Sequence, residues 1–134
     1  MANIIKTVDC PEERFDAGRT IFEEGARSDC FYIVRSGQVD VIKNLGMPNE
    51  VLLATIPPGR VLGEISCMDD GPRTATAVAK SEVMLVRVAA DTLKWQLAQC
   101  PQWFSAVIRD LVERLRATDE LVPSQSSMKD TQAP

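Results

Sequence analysis

The 134-residue chain contains no histidine. Histidine is the commonest general base at neutral pH and the commonest metal ligand, so its absence excludes every Ser-His or Cys-His nucleophile and every histidine-built metal site. Catalysis by carboxylates is not excluded. We therefore expect a protein that binds without catalysing a reaction, and that holds neither a metal ion nor a cofactor.

Long apolar runs and excess positive charge are also missing. The uninterrupted apolar stretches fall far short of the roughly 20 residues that cross a bilayer, and the N-terminus does not resemble a signal peptide. The net charge of -4 counts against nucleic-acid binding, because such surfaces neutralise phosphates with Lys and Arg. We expect a cytoplasmic protein that contacts neither a membrane nor nucleic acid.

The four cysteines include no Cys-x-x-Cys pair. Their wide spacing argues against a zinc site or a redox dithiol. In a reducing cytosol we expect most of them to behave as small buried hydrophobic residues.

What is present is the composition of one globular domain, with 45% hydrophobic and 25% charged residues. From residue 14 to residue 88, short apolar runs alternate with glycine- or proline-containing turns, which is typical of an all-β sandwich or barrel. We predict a tight hairpin at Ser36-Gly37, where the glycine supplies a positive φ. The clearest predicted strands cover residues 31–34, 39–42, 50–56, 77–79 and 82–88.

From Ala89 the pattern becomes helical. Asp91 is suited to cap a helix from Thr92 to about Gln99, and Pro101 ends it. A second helix carries an apolar stripe at i, i+3, i+4 and i+7 spacing, as amphipathic helices do. The stripe consists of Phe104, Val107, Ile108, Leu111, Val112 and Leu115. We expect the stripe to be core, or in part a dimerisation surface, and Trp95 and Trp103 to be helix-packing residues.

The stretch from Leu62 to Thr76 carries most of the chemistry. It contains a glycine, a carboxylate, a run long enough for one helical turn, and an arginine behind a Gly-Pro turn. Arg73 and the amides of a helix start are suited to hold an anion, while Glu64 offers acceptors to neutral hydroxyl groups. We expect Asp69 and Asp70 to form a solvated turn, since a metal site needs more converging oxygens.

Several motifs, in this order, resemble the cyclic-nucleotide-binding domain family. The segments 15–18, 21–25 and 29–41 resemble its opening β-roll, and Gly63-Glu64-Ile65-Ser66 followed by Pro72-Arg73-Thr74-Ala75-Thr76 resembles its phosphate-binding cassette. The resemblance implies a mainly β fold, a double-stranded β-helix or jelly-roll-like β-roll of about eight strands with C-terminal α-helices. The expected layout is a short lead-in at residues 1–12, the domain at 13–121 and a disordered tail at 122–134.

The resemblance also implies a role for each cassette residue. Arg73 would pair with the exocyclic oxygens of a cyclic phosphate, and Glu64 would accept a hydrogen bond from the ribose 2'-hydroxyl. Gly63, Ile65 and Ser66 would shape a short helix whose N-terminal amides face the phosphate.

The two residues after the arginine bear on the ligand. Ala75 would offer its backbone N–H. In the family, a small apolar residue at the position of Thr74 tends to accompany cyclic AMP, whereas Thr or Ser can reach the guanine amino group of syn cyclic GMP. Many cyclic-AMP binders also carry a hydroxyl there. The expected ligand is therefore cyclic AMP, cyclic GMP or both.

The resulting hypothesis is a stand-alone, non-enzymatic sensor domain. It would bind a cyclic mononucleotide and signal by moving its C-terminal helix, either to an unknown effector protein or within a homodimer. One alternative is a protein-interaction module that uses the same β-roll without a ligand. A second is a cupin-like metalloenzyme, whose usual metal site cannot be assembled without histidine.

Overall fold

The computed structural model describes residues 10–121, and this part of the chain forms eight strands and three helices. The strands are β1 (Glu12–Phe15), β2 (Thr20–Phe22), β3 (Cys30–Ser36), β4 (Val39–Lys43), β5 (Val51–Ile56), β6 (Val61–Leu62), β7 (Thr76–Ala79) and β8 (Val83–Ala89). The helices are α1 (Glu64–Asp69), α2 (Ala90–Ala98) and α3 (Gln102–Leu121). The predicted fold class, mainly β with C-terminal helices, is confirmed.

The strands form two four-stranded antiparallel sheets. The first sheet has the order β1-β8-β3-β6, and the second has the order β2-β7-β4-β5. Most strands that follow one another in the chain lie in different sheets, as in a jelly-roll-like β-roll. The central strands of both sheets face a common core.

Side chains from both sheets fill that core. Val34 and Leu85 of the first sheet and Val39 of the second are each at most 1% exposed. Burying a side chain of this size stabilises the fold by roughly 1.5–3 kcal/mol. On the outer side of the first sheet, Val86 and Val88 belong to a second, smaller cluster, so β8 is buried on both faces, as its apolar run predicts.

The predicted hairpin at Ser36-Gly37 is wrong. β3 pairs with β6 and β8, whereas β4 pairs with β5 and β7. Gly37 has the expected positive φ of 82°, but its turn carries the chain from one sheet to the other. The chain passes so close to the start of β8 that a Cβ on Gly37 would lie 2.2 Å from the Glu82 carbonyl oxygen. This crossing lets β3 and β4 contribute to the same core from opposite sides.

The helix after β8 begins earlier than predicted, and Asp91 does not cap it. Ala89 keeps extended dihedral angles and occupies the N-cap position, while the Ala90 N–H donates to the Asp29 carbonyl oxygen at 2.9 Å. The strand therefore runs directly into α2. Asp91 lies in the first turn, where its charge still favours the positive end of the helix.

Only part of the apolar stripe of α3 is core. Val112 is buried, but four members of the stripe are between 38% and 52% exposed. These four residues, Phe104, Val107, Leu111 and Leu115, are called the outer face of α3 below. Trp95 and Trp103, which we predict to be helix-packing residues, are 61% and 68% exposed, so most of their surface is left uncovered. The reason is that α3 rests mainly on α1, a six-residue helix too short to cover a wider surface.

The cysteines divide into two pairs. Cys30 and Cys67 are 3% and 1% exposed, as expected of small hydrophobic residues, whereas Cys10 and Cys100 are half-buried. All four lie in the described residues, and no disulfide joins them. Burial raises the pKa of the Cys67 thiol, which keeps it protonated and unreactive at neutral pH.

The ends of the chain bear on the predicted domain limits. β1 begins at Glu12, the last residue assigned to the lead-in, while residues 1–9 and the predicted tail at 122–134 lie outside the described residues. The limits 13–121 stay a prediction. No helix between residues 10 and 121 is both long and apolar enough to cross a membrane.

Candidate functional site

A cavity of about 300 Å³ opens beside α1, β5, β6 and the segment that precedes β7. Small-molecule sites typically have volumes of roughly 300–1,000 Å³, so a mononucleotide-sized ligand suits it. All seven residues predicted for the site line this cavity: Gly63, Glu64, Ile65, Ser66, Arg73, Thr74 and Ala75. The remaining lining is apolar and escaped the sequence prediction. It consists of Phe22, Val41, Leu53, Ala54, Ile56, Val61 and Leu62.

Arg73 is the most buried charged residue of the cavity, with 4% exposure. Its Nη1 donates to the Gly63 carbonyl oxygen at 3.1 Å and to Ser66 Oγ at 3.4 Å. Its Nη2 donates to Cys30 Sγ at 3.7 Å. Its Nε is buried and has no hydrogen-bond partner within the described part of the chain. Since an unmet buried donor costs roughly 1–3 kcal/mol, this arginine is suited to receive an anion.

Phe22 connects Arg73 to the core. The Arg73 guanidinium carbon lies 4.0 Å from the centre of the Phe22 ring, a cation–π contact that contributes roughly 0.5–2 kcal/mol. Phe22 in turn stacks on a second aromatic ring, that of Tyr32, with ring centres 6.4 Å apart. The guanidinium is therefore fixed by apolar packing as well as by hydrogen bonds.

Gly63 makes this position of Arg73 possible. It occupies the left-handed region with a φ of 81° and is the N-cap residue of α1. A Cβ at this position would lie 2.4 Å from Arg73 Nη1. Any other residue would therefore be strained and would displace the guanidinium.

Three predicted residues reach the cavity from α1. Glu64 and Ile65, its first two residues, are half-buried. Ser66 is 3% exposed, and its Oγ lies between Arg73 and the Gly63 carbonyl oxygen, to which it donates at 3.3 Å. The short helix predicted within the cassette is therefore present, and it places a carboxylate and a hydroxyl on the same wall.

The segment from Arg73 to Ala75 forms the facing wall. The Arg73 N–H donates to the Ala26 carbonyl oxygen at 2.9 Å, and the Gly25 N–H donates to the Arg73 carbonyl oxygen at 2.8 Å. Thr74 is half-buried and Ala75 is 2% exposed. These backbone bonds set the direction in which the arginine side chain leaves the chain.

Thr76, the last residue of the cassette motif, lies outside the cavity lining. Its Oγ1 accepts a hydrogen bond from the Glu24 N–H at 3.0 Å. Lys43, on β4, donates to the Thr74 carbonyl oxygen and pairs with Glu24, in the loop before β3. The sequence prediction missed both residues. No sequence signal marks them, because each is an ordinary charged residue until the fold brings it to the cassette.

The prediction of a solvated turn at Asp69 and Asp70 is right only for Asp70, whose side chain is 74% exposed. The Asp69 side chain is 19% exposed and accepts a hydrogen bond from Arg116 Nη2, on α3, at 2.8 Å. Burial alone would raise the pKa of the Asp69 carboxyl. Hydrogen bonds from Arg116 and the Gly71 N–H outweigh burial and lower that pKa below its ordinary value of 3.8.

The sequence matches the family model described as "Cyclic nucleotide-binding domain" over residues 12–100. The chain belongs to the cyclic nucleotide-binding domain family. A CRP-like cAMP-activated global transcriptional regulator of Mycobacterium tuberculosis is 36% identical over 105 residues, which cover 78% of this chain and 47% of that protein. A cAMP-dependent protein kinase regulatory subunit of Aspergillus fumigatus is 37% identical over 81 residues, which cover 60% of this chain and 19% of that subunit.

Solved structures of this family share the fold. The cAMP-bound structure of the EAL enzyme Bd1971 superposes with a TM-score of 0.78 at 23% identity, and the match covers 91% of this chain and 32% of that one. The chain thus spans less than half the length of both curated relatives. Both relatives are regulators by name, and the family is a regulatory cyclic-nucleotide-binding domain.

Proposed function

We propose that this domain binds a 3',5'-cyclic mononucleotide and acts as a sensor. The observation that supports this most directly is the buried, unpartnered Nε of Arg73. A singly charged cyclic phosphate in the cavity accepts hydrogen bonds from this donor and neutralises the guanidinium. The phosphate would therefore satisfy the Arg73 donor that has no hydrogen-bond partner among residues 10–121.

The other predicted residues have complementary roles in this proposal. Glu64 accepts a hydrogen bond from the ribose 2'-hydroxyl, and the Ala75 N–H donates to the phosphate. Gly63, Ile65 and Ser66 shape the wall that faces the ligand. The base lies along the apolar lining, where burial of its ring surface adds affinity without a hydrogen-bond requirement. No metal, cofactor or catalytic residue takes part.

Cyclic AMP is the better supported ligand, and cyclic GMP stays open. The names of the mycobacterial and fungal relatives both refer to cAMP. Thr74 lines the cavity with a hydroxyl that is suited to the guanine amino group. We therefore propose binding of cyclic AMP, with cyclic GMP accepted through Thr74.

The signal would leave the site through α1 and α3. Ligand binding would order the segment from Gly63 to Ala75, and Asp69 at the end of α1 holds Arg116 of α3. A shift of α1 therefore changes the position of α3, which is a population shift between two packed arrangements. The outer face of α3 is exposed and apolar, which favours a second copy of the domain or an effector protein as the recipient.

We place this activity in the cytoplasm, where cysteines without disulfides are expected. That the protein contacts no nucleic acid also stays a prediction, since the mycobacterial relative is a transcriptional regulator by name. Whichever protein receives the signal, the binding step can be measured on the isolated domain.

Calorimetric competition with four ligands tests the proposed function: cyclic AMP, 2'-deoxy cyclic AMP, 5'-AMP and adenosine. Cyclic AMP should bind best, and the deoxy analogue should bind roughly 10- to 150-fold more weakly if one hydrogen bond to a carboxylate is lost. In Glu64→Gln, the affinities for cyclic AMP and for its deoxy analogue should differ less than in the wild type. Equal binding of adenosine and cyclic AMP would contradict a phosphate site. Binding of none of the four would favour the interaction-module alternative.

A further inference from the structure

Lys43, at the end of β4, is a charged residue with 9% exposure that does not line the cavity. Its Nζ donates to the Thr74 carbonyl oxygen at 2.9 Å and lies 3.3 Å from Glu24 Oε2. A buried ammonium is costly unless it is paired and hydrogen-bonded. The Thr74 carbonyl oxygen and the Glu24 carboxylate therefore both stabilise the buried Lys43 ammonium.

Glu24 is itself held independently of the ligand site. Its Oε1 accepts a hydrogen bond from the Asn44 N–H at 2.8 Å, and its own N–H donates to Thr76 Oγ1 at 3.0 Å. These contacts fix the carboxylate against the end of β4 and the start of β7. The Lys43 ammonium is therefore held between Glu24 and the Thr74 carbonyl oxygen, at the end of the second sheet.

The hydrogen bond from Lys43 lies where the sheet stops. The β4–β7 ladder ends with the pair Ile42 and Thr76, and the chain before Thr76 leaves the sheet to line the cavity. Thr74 thus lies beyond the last ladder pair. The lysine side chain takes the place of a strand partner for the Thr74 carbonyl group.

The same peptide unit joins Lys43 to the ligand site. The Thr74 carbonyl group, which accepts the lysine hydrogen bond, and the Ala75 N–H, which we propose as a phosphate donor, belong to one amide. A charged donor on the carbonyl oxygen polarises that amide and strengthens its N–H as a donor. The lysine charge therefore acts on the cavity although Lys43 does not line it.

We propose that Lys43 is a positioning residue for the cyclic nucleotide. It orients and polarises the Thr74–Ala75 peptide so that the Ala75 N–H and the Arg73 guanidinium donate to the same phosphate. This inference rests on the proposed function. If Lys43 only balances the charge of Glu24, removing both charges together should leave the affinity for cyclic AMP unchanged.

The test compares the wild-type domain with Lys43→Met/Glu24→Gln, which leaves no buried carboxylate without a partner. Lys43→Arg keeps the charge, and Lys80→Met, at an exposed lysine, is the matched control. We expect the double variant to bind cyclic AMP roughly 2- to 12-fold more weakly, as for the loss of one ordinary hydrogen bond, because Lys43 acts through the peptide and does not touch the ligand. Lys43→Arg should recover part of the affinity, and the control should bind like the wild type.

A second readout needs no ligand. In ¹H–¹⁵N spectra of the ligand-free protein, the Ala75 amide signal should move in the double variant and stay in place in the control. Should the double variant fail to fold, Lys43→Gln/Glu24→Gln replaces it, with the same direction and a smaller loss. Wild-type affinity in a folded double variant, or an unmoved Ala75 signal, overturns the role of Lys43 alone. Failure of the wild type to bind overturns the proposed function, and this inference with it.

Discussion

The guanidinium of Arg116, on α3, holds the carboxylate of Asp69, on α1, with two nitrogens. Nη2 lies 2.8 Å from Oδ1, and Nε donates to Oδ2. The two side chains are 17% and 19% exposed, so solvent screens this pair less than a surface pair. Because α1 also carries residues of the cavity wall, the pair links the candidate site to the last helix.

Replacing Arg116 should uncouple that helix from the site. In Arg116→Ala we expect a loss of about 1–2 kcal/mol of stability, since a partly exposed charge-assisted pair is removed. Ligand-dependent changes in hydrogen exchange along α3 should disappear, while cyclic AMP still binds. Arg114→Ala, at a side chain that is 77% exposed on the same helix, is the control. Ligand-dependent exchange that persists in Arg116→Ala would place the relay elsewhere.

The contribution of Asp69 should depend on pH. Its pKa is lower in the folded protein than its ordinary value of 3.8, so its stabilisation is present above that pH and is lost as the pH falls through the lower folded value. The free-energy difference between the wild type and Asp69→Asn should therefore be constant from about pH 7 to about pH 5 and shrink below pH 3.8. Urea unfolding of both proteins across this range measures it. A difference that does not shrink would show that the charge of Asp69 is not the stabilising feature.

Thr74 should affect the two cyclic nucleotides differently. Its hydroxyl can bond the 2-amino group of guanine, a group that adenine lacks, so Thr74→Ala should weaken binding of cyclic GMP by roughly 2- to 12-fold and leave binding of cyclic AMP nearly unchanged. Parallel calorimetric titrations measure the ratio, and Thr74→Ser is the conservative control. Equal losses for both nucleotides would rule out a contact with the base.

The outer face of α3 should mediate association. Leu111 is 50% exposed in the middle of that face, and Leu111→Lys should abolish self-association if a second copy covers the face. Sedimentation of the wild type and the variant, with and without cyclic AMP, measures this. Glu113→Lys, at a neighbouring exposed position, controls for added charge. A wild type that stays monomeric at all concentrations would leave an effector protein as the partner.

The sequence predicts those parts of the fold whose signals are local. β5 and β8 follow from their apolar runs, and α3 follows from the spacing of its stripe. Gly37 shows the limit of such signals, because its positive φ suits a hairpin and a crossing between sheets equally well. Only the long-range pairing of β3 with β8 decides between them. In the same way, the stripe of α3 predicts a helix but not how much of it a neighbour covers.

The candidate site likewise has one part that local sequence signals predict and another part that only the fold brings together. The cassette residues fall in two short runs close together in the chain, and their resemblance to the family's cassette predicts that they line one cavity. Phe22, Glu24 and Lys43 come from distant strands and loops, and each is an unremarkable residue in its own segment. Asp69 was expected in solvent because its partner, Arg116, is 47 residues away in the sequence. Contacts of this kind depend on the completed fold.

Calorimetric titration of the wild-type domain with cyclic AMP, beside cyclic GMP and the variant Arg73→Ala, tests the central claim most directly. The proposed function predicts one site per chain for cyclic AMP and a loss of roughly 10- to 150-fold in Arg73→Ala. Arg27→Ala, at an exposed position, should bind like the wild type. If neither nucleotide gives a heat of binding or competes at millimolar concentration, the claim is contradicted. Unchanged affinity in Arg73→Ala would contradict the assignment of the phosphate site.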